Sequence, residues 1–179
     1  MSKLGKKIIV LPKDSTIKVD SGNLLISGPK GSKTVAFNDK MFSSKVNEKN
    51  EFVIHPNKKT KNISVLWGTY RSLVNNAVIG VTKGHEKNLE LNGVGFRANL
   101  KGDKLGLQLG FSHEVTYSIP KGIVIKVEKQ TKLNITGSDK ELVAKVAADI
   151  KSLKPVEPYK AKGIKEKDQY VIRKEGKKK

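Results

Sequence analysis

Pro12-Lys13, Ile17-Lys18-Val19-Asp20, Leu24 and Ile26-Ser27-Gly28 return later in the chain as Pro120-Lys121, Ile125-Lys126-Val127-Glu128, Leu133 and Ile135-Thr136-Gly137. The copies stand 108 residues apart through Val19 and Val127 and 109 apart from Leu24 and Leu133 onward, so one turn has gained a residue. Within each copy apolar and polar residues alternate, the period of a half-buried strand. Ile17 and Val19, the turn Ser21-Gly22-Asn23 and the run Leu24-Leu25-Ile26 read as a β-hairpin. A repeat of this length predicts two similar lobes, with a boundary near Thr82-Lys83-Gly84.

Each lobe holds one amphipathic helix. From about Asn62 to Thr82, Ile63, Leu66, Trp67, Tyr70, Leu73, Val74, Ala77, Val78 and Val81 recur at three- and four-residue steps, which line up on one helical face. That face belongs to a core, and Trp67 with it. A second helix opens at Ser138-Asp139-Lys140-Glu141, a capping-box pattern, and Leu142, Val143, Val146, Ala147, Ile150 and Leu153 form its stripe before Pro155 ends it. Phe96, Ala98 and Leu100 face Leu105, Leu107 and Leu109 across Lys101-Gly102-Asp103-Lys104, which reads as another hairpin. The expected fold is α+β: tandem duplicated domains over 1–82 and 83–154, each a small, mostly antiparallel sheet against one helix, then a basic extension over 155–179.

The chain has 179 residues, 36% apolar and 30% charged, a globular balance. Lys and Arg number 36 against 17 Asp and Glu, a net charge of +19. Solubility asks for a net charge of only about 2–8 in a small domain, so the surplus is that of a polyanion binder. It is spread along the whole chain: 14 basic against 5 acidic residues in 1–82, 13 against 8 in 83–154 and 9 against 4 in 155–179. There is no cysteine, which excludes disulfides, cysteine zinc sites and thiol catalysis. No apolar run approaches the roughly 18 residues of a membrane span, and Ile8-Ile9-Val10-Leu11, cut by Pro12, is too short for a signal-peptide core. The expectation is a mature chain that begins near Met1 and stays in the compartment where it is made.

Catalytic chemistry finds no support. His55, His85 and His113 lie too far apart in sequence for a paired-ligand motif. The carboxylates mostly sit beside lysines, as in Asp103-Lys104 and Glu128-Lys129, which marks exposed faces rather than acids of raised pKa. No serine occupies a GxSxG elbow. Gly93-Val94-Gly95-Phe96-Arg97-Ala98 matches a dinucleotide fingerprint in letters, yet Phe96 to Leu100 alternates like a strand where that motif needs a helix. Gly28-Pro29-Lys30-Gly31-Ser32-Lys33 has the wrong spacing for a P-loop, and its GxxG lacks the helical flanks of a KH loop; a tight basic turn near RNA is the reading left open. No catalytic residue, metal ligand or cofactor is expected.

Cation, aromatic and turn do come together near the C-terminus. Lys154-Pro155-Val156-Glu157-Pro158-Tyr159-Lys160-Ala161-Lys162-Gly163-Ile164 has two prolines to stiffen it, a tyrosine able to stack or hydrogen-bond, and lysines able to reach phosphates. The tail ends Arg173-Lys174-Glu175-Gly176-Lys177-Lys178-Lys179, a basic arm of the kind that orders on meeting a polyanion.

Glu157-Pro158-Tyr159-Lys160-Ala161-Lys162-Gly163-Ile164 closely resembles EPYKGKGI, the C-terminal signature of the bacterial-type large-subunit ribosomal protein six family. The resemblance extends, in family order, through Ser2-Lys3-Leu4-Gly5-Lys6-Lys7, Gly28-Pro29-Lys30-Gly31, Gly68-Thr69-Tyr70-Arg71, Asn75-Asn76, Gly80-Val81-Thr82, Gly93-Val94-Gly95-Phe96-Arg97-Ala98 and Gly110-Phe111-Ser112-His113. It implies two duplicated α+β domains and a structural, non-enzymatic part of the cytoplasmic ribosome. It also implies binding to large-subunit ribosomal RNA near the sarcin-ricin loop and the stalk base, beside other ribosomal proteins and the docking place of translational GTPases, with no membrane partner. On matching positions the RNA contacts fall to Tyr159, Lys160, Lys162 and Gly163. Lys154, Lys174, Lys177 and Lys178 join them on charge alone. Arg71, Asn75 and Arg97 match the family and could brace the fold or touch RNA. Ala161 departs from the family's glycine, which matters if the site needs φ > 0, and Val156 stands where many members have a second proline. The rivals are a free-standing RNA chaperone or architectural protein and, from another class, an enzyme acting on nucleic acid.

Overall fold

Trp67, Val74, Ala77, Val78 and Val81 are buried on α1 (Lys61–Thr82), where the three- and four-residue spacing places them on one face. In this computed structural model, residues 2–20, 22–47, 50–58 and 60–176 are described, Lys61 by its backbone alone. Leu66, read as part of the same stripe, is 38% exposed at its edge. The indole N–H of Trp67 donates to the carbonyl of Ile54 at 2.7 Å, so its burial leaves no unpaired donor. Gly5 lies against the same ring, where a Cβ would come within 2.4 Å of it. The Gly28-Pro29-Lys30-Gly31 turn has a structural task at the other end of the helix: the Lys30 N–H donates to the Val81 carbonyl at 2.9 Å and its ammonium to the Lys83 carbonyl. A cation there complements the negative end of the helix dipole.

The chain divides into two compact units, one running to Gly84 and taking in Ser138–Lys140, the other holding His85–Gly137 and continuing from Glu141. In the first unit β1 (Ile9–Val10) pairs with β6 (Glu51–Pro56), which pairs with β5 (Phe42–Asn47); β2 (Thr16–Asp20), β3 (Asn23–Gly28) and β4 (Gly31–Ala36) form a second sheet. The core under α1 is made by Leu24, Ile26, Val35, Phe37, Phe42, Phe52 and Ile54. Phe37 stands at the corner where the chain leaves one sheet for the other, with its ring 6.3 Å from Phe42 and 5.9 Å from Tyr70.

In the second unit β7 (His85–Asn92), β11 (Ile123–Glu128), β12 (Lys132–Gly137) and β13 (Gly163–Glu166) form a sheet in the order β11-β12-β7-β13. The hairpin β8 (Arg97–Lys101) and β9 (Lys104–Gln108) pairs onward to β10 (Val115–Ser118), and α2 (Lys140–Leu153) buries Val143, Val146, Ala147 and Ile150 in the shared core. All strand pairs are antiparallel among the described residues. The architecture is α+β, but each unit carries two sheets where one was expected. Alternation tells which residues form strands and leaves their pairing to tertiary contacts.

The matched hairpins share a register: Ile17 faces Ile26 and Val19 faces Leu24, as Ile125 faces Ile135 and Val127 faces Leu133. Asp20 pairs with Asn23, leaving a two-residue link, whereas Glu128 pairs with Lys132, leaving three. That extra residue accounts for the step from 108 to 109. Ser21, half of the shorter link, lies outside the described residues.

Candidate nucleic-acid interface

Past α2 the chain does not run free. The Ile164 N–H donates to the Lys154 carbonyl at 2.9 Å, and the Glu157 N–H donates to the Lys162 carbonyl at 2.8 Å. The Ala161 N–H closes a tighter turn on the Glu157 carbonyl at 3.1 Å. Ala161 sits at φ 55°, in the left-handed region where a side chain is unfavourable and glycine is not. A glycine at this position would be free of that cost, and this chain holds the bend with an alanine. Gly163, at φ 140°, is buried; a Cβ there would lie 2.6 Å from the Pro155 carbonyl oxygen and 2.7 Å from the Val156 Cα. Val156 therefore passes directly over Gly163, and the glycine's local task is to let the two backbone segments close.

The closed loop holds Tyr159, Lys160 and Lys162 outward, all exposed. Among the described residues none of the three has a side-chain hydrogen bond or ion pair, whereas Lys87 and Lys151 meet Glu166 at 2.7 and 3.4 Å and Lys165 meets Glu90 at 3.3 Å. Those three lysines, on β7, α2 and β13, are partly neutralised and those of the loop are not. Glu166 is held below the usual carboxylate range, chiefly by its hydrogen bond from Lys87 and against the effect of partial burial. Its bonds fix β13, the strand that follows the loop, to β7 and α2.

The tail returns to the loop, where the Lys174 N–H donates to the Pro158 carbonyl at 3.0 Å. That places Lys174 beside Tyr159 and Lys160, and the intervening Tyr170 is 86% exposed. Lys177 and Lys178 lie outside the described residues. Half-buried Lys154 places its ammonium 4.5 Å from the ring centroid of Phe111, whose place in a turn gives no sign in sequence of a contact. The two are far apart in sequence, and only the fold joins them. Arg97 is exposed at the start of β8, next to the buried Phe96.

The remaining candidates lie in the first unit. Arg71 braces the N-terminal segment, donating to the carbonyls of Lys7 at 3.2 Å and Ile8 at 3.4 Å. Asn75 is half-buried on α1. Among the described residues no group of His, Asp and Glu is placed to hold a metal ion, and no helix is long and apolar enough to cross a membrane.

The family model described as Ribosomal protein L6 matches the chain in two stretches, residues 11–84 and 92–167. A large ribosomal subunit protein uL6 from a Nitratiruptor species is 47% identical over 99% of this chain and 98% of its own length. Proteins of the same name from Rhodopseudomonas palustris (strain BisA53) and Bradyrhizobium diazoefficiens are each 45% identical over the full length of both chains. With the family model covering most of both units and relatives this similar from end to end, the chain belongs to the ribosomal protein L6 family of large-ribosomal-subunit proteins, and it is a structural protein rather than an enzyme.

Proposed function

We propose that this chain anchors large-subunit ribosomal RNA in the cytoplasmic ribosome through the loop 154–163 and the tail that follows it. The observation that carries the reading is the closed loop, whose backbone bonds between Glu157 and Lys162 and between Ala161 and Glu157 present exposed Tyr159, Lys160 and Lys162 without internal partners. Ammonium groups held in this way neutralise phosphates and release counterions, which favours binding without sequence readout. A preformed loop also has less conformational freedom to lose on contact.

Two tandem domains that arose by duplication, 1–82 and 83–154, with the basic extension from 155, are part of the same proposal. The shared hairpin register and the two separate stretches matched by the family model support it. The place of the contact, near the sarcin-ricin loop and the stalk base where translational GTPases dock, rests on the family alone, as do neighbouring ribosomal proteins as partners.

Lys160→Ala combined with Lys162→Ala tests the loop. The doubly substituted protein is expected to keep its circular dichroism and unfolding midpoint, because neither side chain supports the fold. It should be recovered with large ribosomal subunits after a high-salt wash at a small fraction of the normal amount. Normal recovery would show the loop to be misassigned. Recovery of the unaltered chain only in the soluble fraction would favour a free-standing RNA chaperone.

A further inference from the structure

Phe111 is 45% exposed and stands outside the core cluster of its unit, in the loop between β9 and β10. One exposed ring is ordinary on a protein surface; its neighbours are not. The His113 imidazole lies nearly parallel to it, 22° between planes and 6.4 Å between centroids, and both residues are exposed. The Lys154 ammonium sits over Phe111 at 4.5 Å, within cation–π range. A groove next to Lys154 and Gly110 is lined by these two residues and by Val94, Phe96 and Lys162, with Glu157 its one acid. Val94 is 90% exposed, at the tip of a turn whose Gly95 takes φ 77°.

Flat rings, an apolar ledge and two ammonium groups are what an unstacked nucleotide requires: a π surface for the base and cations for the flanking phosphates. An acidic protein surface would also cover Phe111 and Val94 and meet the two lysines; the parallel rings beside the ammonium groups are the feature that matches a base and its flanking phosphates. We propose that Phe111 and His113 hold one base turned out of the RNA helix, with Lys154 and Lys162 on the adjacent phosphates. The proposal rests on the reading of the loop as an RNA contact and adds to it a site for a single base. Every base has a π face, so the site selects an unstacked nucleotide rather than a particular one.

The test is the affinity of the full chain for large-subunit ribosomal RNA across a salt series, with folding of each variant checked by circular dichroism. Phe111→Ala is expected to weaken binding by about tenfold, with the slope of affinity against salt unchanged because no charge is lost. Phe111→Leu should be as weak as Phe111→Ala, and Phe111→Tyr should bind like the unaltered chain. Full affinity in Phe111→Leu, or a loss in Phe111→Tyr as large as in Phe111→Ala, would overturn base stacking. So would full affinity in Phe111→Ala while Lys160→Ala with Lys162→Ala weakens binding, an outcome that leaves the loop reading standing. Unchanged affinity in all of these variants would overturn both.

Discussion

Ala161 and Gly163 determine whether the loop can close. An alanine in the left-handed region costs about 1–2 kcal/mol, and glycine recovers that while giving up roughly 0.5–1 kcal/mol of chain entropy. Ala161→Gly is therefore expected to stabilise the protein by about 0.5–1 kcal/mol in denaturant unfolding. Gly163→Ala should destabilise it by about 2 kcal/mol or more, since its methyl group would overlap the backbone of Pro155 and Val156. The bend at 161 was legible in sequence as a departure from the family's glycine. What the glycine at 163 does was not, because the Pro155 and Val156 backbone that crowds it is close only after the loop has folded. The same holds for Phe111 and His113: an aromatic pair in a turn has no evident task until Lys154, from beyond α2, lies over it.

At the level of elements, alternating runs identified strands and three- and four-residue steps identified helices, since both depend on local geometry. The hairpin at 97–108 and the limits of α1 follow from such patterns. Partition into two sheets per unit and the addition of β13 to β7 do not, because Gly163-Ile164-Lys165-Glu166 is too short to show a period. β13 is held in part by charge, which makes its attachment sensitive to pH. The folded-state pKa of Glu166 is lowered from its ordinary 4.5, so its contribution is fully present above that value and is lost as pH falls through the lowered one. The ion pairs are partly exposed, which limits the effect to less than about 1 kcal/mol. Unfolding midpoints measured from pH 7 down to pH 3 should fall less steeply for Glu166→Gln than for the unaltered chain, and the variant should be slightly less stable at pH 7. Parallel curves would show that Glu166 does not hold the strand.

The surplus of +19 belongs to the whole molecule, and family membership turns an unspecific polyanion binder into a protein of the large subunit. The charge was legible from composition, while its use depends on which lysines the fold leaves unpaired. Among the described residues Lys87, Lys151 and Lys165 form ion pairs with carboxylates, and Lys160 and Lys162 form none. The most direct test of this account is a density map of the assembled large subunit containing this chain. The account predicts the ammonium groups of Lys160 and Lys162 within about 4 Å of ribosomal RNA phosphate oxygens, the range of an ion pair. A map with the loop turned to solvent, or packed on protein with no phosphate in reach, would contradict it.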